Sequence, residues 1–120
     1  MPFAAVTGRP IEYRMIPGDA ARTPLVFLHE GLGCVALWRD FPDEVAGRLG
    51  ARALVYSRFG YGQSAPLSGT RGPRFMHEEA LDVLPALLDQ LGLERPLLIG
   101  HSDGASIALI HAAASGRPVA

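Results

Sequence analysis

The sequence predicts an α/β fold with a mostly parallel sheet, helices on both of its faces and an antiparallel hairpin at the N-terminus. Two observations indicate the parallel part. Continuously apolar runs at residues 24–28, 53–57 and 96–99 are too short for helices and suit strands that are covered on both faces. Amphipathic segments of helical length lie between these runs, at residues 38–49 and 75–91. Strands that alternate with helices form parallel sheets through right-handed crossovers.

The hairpin is predicted at the start of the chain. Residues 4–6 and 11–16 have strand-like sequences, and the Thr-Gly-Arg-Pro segment between them carries turn residues. The order of elements is then hairpin, strand, helix, strand, helix, strand and helix, with the last helix beginning just after Ser102.

The two amphipathic segments predict which side chains the helices bury. In the first, Phe41, Val45 and Leu49 lie four residues apart on one face and are expected to meet the sheet. The second is expected to kink at Pro85, because proline cannot donate a backbone hydrogen bond. Its apolar stripe consists of Leu81, Leu84, Leu88 and Leu91.

Length and composition limit the classes of function. A chain of 120 residues forms one domain at most, and its hydrophobic fraction of 48% suits a globular core. The formal net charge of −1 gives no electrostatic case for binding nucleic acid or an anionic membrane. No apolar run approaches the roughly 18 residues of a membrane span, and no basic and apolar leader begins the chain. We expect a cytoplasmic protein that acts on a small molecule.

Metal, disulfide and cofactor chemistry is not expected. Cys34 is the single cysteine, which excludes an internal disulfide, and no cysteine–histidine spacing suggests zinc. The glycines within residues 60–64 lack the spacing of a phosphate-binding loop or a dinucleotide fingerprint. We therefore expect no cofactor and no metal, and we interpret Cys34 as a small packing residue.

The pattern that carries chemistry is Gly-x-Ser-x-Gly at residues 100–104. It lies where an apolar strand ends and an alanine-rich helix begins, which is the setting in which this motif presents a nucleophile. A sharp turn lifts the Ser102 hydroxyl clear of the sheet, and small flanking residues let strand and helix pass closely. The backbone N–H of Asp103, at the start of the helix, is then a candidate donor to an oxyanion. The alternative is that this Gly-x-Ser-x-Gly pattern occurs by chance.

Two further glycine-rich segments follow apolar strands. Residues 29–33 read His-Glu-Gly-Leu-Gly, and residues 57–64 read Ser-Arg-Phe-Gly-Tyr-Gly-Gln-Ser. Together with the serine motif, and in this order, they resemble the α/β-hydrolase superfamily, in which the two segments read His-Gly-x-x-Gly and Asp-x-x-Gly-x-Gly-x-Ser. The resemblance covers nearly the whole chain but only the N-terminal half of the family's domain. Glu30 stands where a glycine is usual, and Ser57 stands in the position of the aspartate.

The resemblance implies a partial α/β-hydrolase fold and a role for each of these residues. Ser102 is the nucleophile, and the backbone N–H groups of Asp103 and Gly31 are the two oxyanion donors. Leu32 is the alternative second donor. Residues 29–33 are then the oxyanion loop, and an ordinary glycine-rich loop is the alternative for this segment. The carboxylate of Glu30 must point away from the oxyanion or serve another purpose.

Three residues are candidates for substrate contact. His29 begins the oxyanion loop, Trp38 follows it closely, and His101 precedes the candidate nucleophile. Each also has a structural alternative: His29 anchors the loop, Trp38 packs a helix on the sheet, and His101 buttresses the turn. We do not expect His101 to act as the base, because neighbours across a tight turn point in different directions.

The acid and the base of a catalytic triad are missing from the sequence. In this family they follow the serine, acid first and histidine last, but only 18 residues follow Ser102. His111 would lie roughly 13 Å along the helix, beyond hydrogen-bond reach. We expect residues 1–120 to be a single N-terminal part of an α/β-hydrolase domain, without its C-terminal strands, cap, and triad acid and base.

The function implied by the resemblance is esterase-like hydrolysis of a small-molecule ester, lactone, thioester or C–C bond. A serine nucleophile argues against the superfamily's haloalkane dehalogenases and epoxide hydrolases, which use aspartate. The 120-residue chain alone is expected to be inactive, and a non-catalytic or vestigial ligand-binding protein is the alternative. The strand before Ser102 is expected near a sheet edge, where unpaired backbone groups favour self-association.

Overall fold

The computed structural model describes residues 2–67 and 72–120. These residues contain the strands β1 (Phe3–Val6), β2 (Arg9–Ile16), β3 (Leu25–Leu28), β4 (Ala53–Tyr56) and β5 (Leu97–Gly100). They form one sheet in the order β1-β2-β4-β3-β5. β1 pairs antiparallel with β2 and β2 antiparallel with β4, whereas β3 pairs parallel with both β4 and β5. The predicted α/β class is confirmed.

The helices lie between the parallel strands and after the last one. They are α1 (Phe41–Leu49), α2 (Phe75–Glu78), α3 (Leu84–Leu91) and α4 (Asp103–Ala114). A 3₁₀ turn at Ala36–Trp38 precedes α1, and a π-helical turn at Glu79–Val83 joins α2 to α3. None of the helices in the described part of the chain is long and apolar enough to cross a bilayer.

The sheet is covered on both faces, as the continuous apolar runs predict. Successive side chains of β3 point to opposite faces. Val26 and Leu28 belong to the core on the α4 side, with Ile107. Leu25 and Phe27 belong to the core on the α1 side, with Ala46. All four residues of β3 and all four of β4 are buried, so these two strands form the centre of the domain.

The N-terminal hairpin is also confirmed, with a tighter turn than the sequence suggested. β2 begins at Arg9, which leaves only Thr7 and Gly8 between the strands. Both have positive φ, 52° and 76°, as in the two-residue turns whose twist matches that of a hairpin.

The face of α1 that meets the sheet agrees with the prediction in part, because Val45 packs on the core and the Phe41 ring meets Phe27 of β3 edge-on, with centroids 6.1 Å apart. Phe41 and Leu49 are about half exposed, at 49% and 47%, whereas Pro42 and Ala46 are buried. The smaller side chains allow close approach to the sheet, and the larger ones lie at the edge of the contact. The helix also begins three residues later than predicted, because Arg39 has φ 54° and interrupts the helical backbone.

The long helical segment passes Pro85 without ending. The π-helical turn lies directly before α3, which has this proline in its first turn. Because Pro85 has no N–H, the helix cannot keep its regular hydrogen bonds here, and the wider turn adjusts the backbone. Leu84 and Leu88 of the predicted stripe are buried and Leu81 and Leu91 are partly buried.

β5 lies at one end of the sheet among the described strands. Its residues are only partly buried, and Leu97 is 38% exposed. The C-terminal end of the chain returns to this strand, where the backbone N–H of Ala120 donates to the carbonyl oxygen of Pro96 at 3.0 Å. β5 therefore ends two residues before the candidate nucleophile. Among the described strands, no strand pairs with its outer edge.

Candidate active site

The turn between β5 and α4 holds Ser102 in an unusual backbone conformation. Its φ is 58° and its ψ is −120°, a region that non-glycine residues adopt only where the surrounding structure imposes it. The side chain is exposed, and the residue caps the N-terminus of α4. The chain reverses here so sharply that Ser102 projects from the carboxyl end of the sheet.

The two flanking glycines are required by close backbone contacts. A Cβ atom at Gly100 would lie 2.5 Å from the carbonyl oxygen of Gly104. A Cβ atom at Gly104 would lie 2.3 Å from the carbonyl oxygen of Leu28. No side chain fits at either distance, so the serine motif is fixed by the packing of α4 on β5 and β3.

The loop at residues 29–33 lies against the start of α4. A Cβ atom at Gly31 would be 3.2 Å from Oδ2 of Asp103, which places the two predicted oxyanion donors on adjacent segments. The backbone N–H of His101 donates to the carbonyl oxygen of Leu28 at 3.1 Å and so joins the end of β3, where the loop begins, to the turn. The side chain of Leu32, the alternative donor, is 86% exposed.

His29 is buried and both of its ring nitrogens are engaged. Nε2 accepts the backbone N–H of Arg58 at 3.0 Å, so Nδ1 carries the proton and donates it to the carbonyl oxygen of Glu30 at 2.6 Å. The ring also contacts the Tyr61 ring edge-on, with centroids 4.9 Å apart. This arrangement anchors the loop and leaves His29 unsuited to act as a general base.

Arg58 joins the oxyanion loop to the turn, a role that the sequence analysis did not assign. Its Nη2 donates to the carbonyl oxygens of His29 and Glu30, both at 3.1 Å, and to Oδ1 of Asp103 at 2.9 Å. The Arg58 side chain is 2% exposed. The one available signal was an arginine placed directly after a buried strand, where a charged residue needs a specific partner.

Glu12 supplies a carboxylate where Ser57 replaces the expected aspartate. Ser57 Oγ donates to Oε1 of Glu12 at 2.7 Å and accepts the backbone N–H of Val35 at 2.8 Å. Oε1 of Glu12 also accepts the backbone N–H of Gln63 at 3.2 Å. Ser64 Oγ accepts the backbone N–H of Glu12 and donates to the carbonyl oxygen of Ser57. A hydrogen-bond network is therefore present at this loop, with its carboxylate contributed by β2.

The three predicted substrate-contacting residues line one cavity of about 160 Å³ beside the oxyanion loop. Trp38 stacks on Phe41 of α1 with ring centroids 5.9 Å apart and meets Phe27 of β3 edge-on at 5.4 Å, so it also has the packing role considered above. The carboxylate of Glu30 lies 4.0 Å from Nδ1 of His101, and both side chains are substantially exposed. The lining consists of His29, Glu30, Gly33, Cys34, Leu37, Trp38 and His101.

The structure brings no general base to Ser102 within the described residues. His111 is buried in α4, where Nδ1 lies 2.8 Å from the carbonyl oxygen of Ala80. His77 lies on α2, and His29 is engaged as described. No side chain of residues 2–67 or 72–120 makes a hydrogen bond to the Ser102 hydroxyl.

Comparisons with known proteins identify the family of this fold. The family model described as "alpha/beta hydrolase fold" matches residues 23–120. Proline iminopeptidase of Lactobacillus helveticus (strain DPC 4571) is 31% identical over 111 residues, which cover 92% of this chain and 36% of that protein. The chain thus spans little more than a third of this curated relative's length.

Two solved structures superpose closely on the chain. Est816, described as an N-acyl homoserine lactone degrading enzyme, is 26% identical with a TM-score of 0.80, covering 98% of this chain and 42% of that chain. A loop variant of haloalkane dehalogenase DbeA from Bradyrhizobium elkanii is 28% identical with a TM-score of 0.81, covering 98% and 37%. With the family model covering most of its length, the chain belongs to the α/β-hydrolase fold family.

Proposed function

We propose that this chain carries the nucleophile and the oxyanion hole of a serine hydrolase. The observation that carries the proposal is the conformation of Ser102, exposed at positive φ between two glycines that tolerate no side chain. Such strain persists only where the fold imposes it, and it clusters at functional sites. The start of α4 supports the same reading, since its first N–H groups carry partial positive charge beside the serine.

In the proposed reaction, Ser102 Oγ attacks a carbonyl carbon and forms a C–O bond. The carbonyl oxygen becomes an oxyanion, which accepts hydrogen bonds from the backbone N–H groups of Asp103 and Gly31, or of Leu32 in place of Gly31. When the tetrahedral intermediate collapses, the leaving group departs with the proton that a base took from Ser102. Water then hydrolyses the acyl-enzyme. Each oxyanion donor typically contributes about 3 kcal/mol to the transition state.

We place the acid and the base of the triad outside these 120 residues, in a longer protein of which this is the N-terminal part of one domain. His29 and His111 each have a ring nitrogen within hydrogen-bond distance of a backbone carbonyl oxygen, and His77 lies on α2. His101 is adjacent to the serine, and neighbours across a tight turn point in different directions. The curated relatives are nearly three times as long as the matched segment. Alone, the 120-residue chain should therefore show little turnover.

The proposed substrates are small molecules with an ester, lactone, thioester or C–C bond. The likeness to a lactone-degrading enzyme supports this class. The cavity beside the oxyanion loop, with His29, Trp38 and His101 in its lining, offers space for a small acyl group. The fold alone does not choose between cleavage of an acyl compound and cleavage of a carbon–halogen bond, since a dehalogenase superposes equally well. Serine at position 102 favours acyl transfer.

A fluorophosphonate probe tests the proposal. In the longer protein that supplies the triad base, mass spectrometry should find one covalent adduct on Ser102, and the adduct should be lost in Ser102→Ala. Ser106→Ala is the matched control, because Ser106 is exposed on the same helix but has a helical backbone. Absence of labelling in the longer protein, when circular dichroism shows it to be folded, would contradict the proposal, whereas the 120-residue chain alone is expected to label slowly because it lacks the base. The alternative, a non-catalytic ligand-binding protein, would then account for this chain.

We also propose that the chain self-associates through β5. This strand has a neighbour on one side only among the described strands, and α4 beside it exposes Leu109 at 72%. Unpaired strand edges next to apolar surface favour pairing with another chain.

A further inference from the structure

We propose that Arg58 is a positioning residue that holds the two donor segments of the oxyanion hole together and neutralises a carboxylate beside it. The inference rests on the proposed serine hydrolase function, because it assigns Arg58 a role in the oxyanion hole. It concerns a side chain that contacts neither the serine nor the space where a substrate would bind.

The hydrogen bonds of Arg58 define the positioning role. A single nitrogen, Nη2, contacts three acceptors within 3.1 Å: the carbonyl oxygens of His29 and Glu30 and the carboxylate of Asp103. The two carbonyls precede Gly31, and Asp103 follows Ser102. Arg58 therefore fixes the spacing between the two segments that carry the proposed donors. Small displacements of such groups slow reactions by large factors.

The charge of Arg58 defines the second role. Asp103 offers its backbone N–H to the oxyanion but also carries a carboxylate, and that carboxylate lies next to Gly31. An uncompensated negative charge here would oppose the negative charge that develops on the substrate oxygen. The ion pair with Arg58, at 2.9 Å and with side chains 2% and 22% exposed, supplies the compensation.

The burial of Arg58 argues against a simple packing role. Within residues 2–67 and 72–120, its Nε and Nη1 are buried and have no hydrogen-bond partner. Burying unpaired donors is unfavourable, and an apolar side chain of similar volume would avoid that cost. The guanidinium carbon lies 5.2 Å from the centroid of the Tyr61 ring, which offsets part of it. The contacts of Nη2 account for keeping an arginine at this position.

The test compares rates of fluorophosphonate labelling at Ser102 in the longer protein that supplies the triad base, as the wild type and as two variants. Arg58→Met should label about tenfold more slowly than the wild type or worse, because the donors shift and Asp103 is uncompensated. Arg58→Met combined with Asp103→Asn should label at least about threefold faster than Arg58→Met alone, because the unpaired charge is gone. A purely structural arginine predicts the opposite, since the second substitution would add a further loss.

Arg14→Met is the matched control. Arg14 forms a two-pronged ion pair with Asp43, at 2.8 and 2.9 Å, on the surface. Loss of this pair should leave the labelling rate unchanged. If Arg58→Met labels at the wild-type rate, or the double variant labels no faster than Arg58→Met, the proposal is wrong.

Hydrogen–deuterium exchange separates failure of this inference from failure of the proposed function. Backbone amides of residues 28–37 and 101–106 should exchange faster in Arg58→Met than in the wild type and in Arg14→Met. If the wild type does not label at all, the proposed function loses its support, and the exchange comparison alone decides whether Arg58 holds the two segments. Unchanged exchange in both segments would overturn the positioning role.

Discussion

Ser57 donates its hydroxyl proton to Oε1 of Glu12 across 2.7 Å, and both side chains are buried. The serine stands where the resemblance described above leads us to expect an aspartate, and the glutamate comes from β2, 45 residues earlier. A carboxylate therefore remains at this loop, although it reaches the loop from another strand. The pair fixes the start of the segment that carries Arg58. Arg58 in turn contacts both segments of the proposed oxyanion hole.

The Ser57–Glu12 pair predicts the effect of restoring the aspartate. Ser57→Asp would place two carboxylates in contact in a buried position, and should reduce the free energy of unfolding by roughly 3 kcal/mol. Adding Glu12→Gln should recover most of that loss, because the new amide can donate to the aspartate. Urea denaturation of the three proteins measures this. A double variant no more stable than Ser57→Asp would show that the two positions are not coupled.

The strands and the serine turn could be predicted from the sequence because their signals are local. β3 and β4 are short apolar runs. The glycines at 100 and 104 indicate close backbone contacts even before the contacting residues are known. The most deeply buried residues of α1 could not be predicted. Periodicity places Phe41, Val45 and Leu49 on one face, but it does not show that the smaller Pro42 and Ala46 approach the sheet most closely.

Arg58 and Glu12 were missed for a different reason. Each acts through a contact with a residue 45 positions away in the sequence. A charged residue beside a buried strand indicates that a partner exists, but the single sequence does not identify it. The replacement of an aspartate at position 57 by the carboxylate of Glu12 is likewise visible only once the pairing of β2 with β4 is known.

Gly104 predicts a contrast between two glycine substitutions. Gly104→Ala would press a Cβ atom to 2.3 Å from Leu28 O and 2.5 Å from His29 O, and should cost about 2–3 kcal/mol of stability. Gly47→Ala is the matched control, because Gly47 is exposed in α1 with nothing within 4 Å of a new Cβ. It should stabilise the chain by up to about 1 kcal/mol. Thermal denaturation compares both, and equal effects would contradict the close packing of α4.

The Arg14–Asp43 pair predicts a pH-dependent contribution to stability. The hydrogen bonds from Arg14 hold the pKa of the Asp43 carboxyl below its ordinary value of 3.8. The contribution is therefore present above that pH and is lost as the pH falls through the lowered pKa. Asp43→Asn should reduce the free energy of unfolding at pH 7 by up to about 1 kcal/mol, and should have no effect near pH 2. Thermal denaturation at the two pH values measures this. Asp40→Asn is the control, because Asp40 lies at the start of the same helix and its side chain makes no capping hydrogen bond. A deficit that is the same at both pH values would exclude this ion pair as its source.

The edge strand predicts concentration-dependent association. β5 ends the sheet of the described strands, and Leu109 of α4 exposes apolar surface beside it. Leu109→Glu should shift sedimentation velocity profiles toward the monomer, because a charge beside an edge strand opposes pairing with a second chain. Leu49→Glu, which changes an exposed leucine on α1 on the opposite face of the sheet, should leave the profile unchanged. A wild-type chain that sediments as a monomer across the whole concentration series would contradict the proposed association. Loss of the dimer in both variants would instead indicate nonspecific apolar contact, because only Leu109 lies beside the open strand.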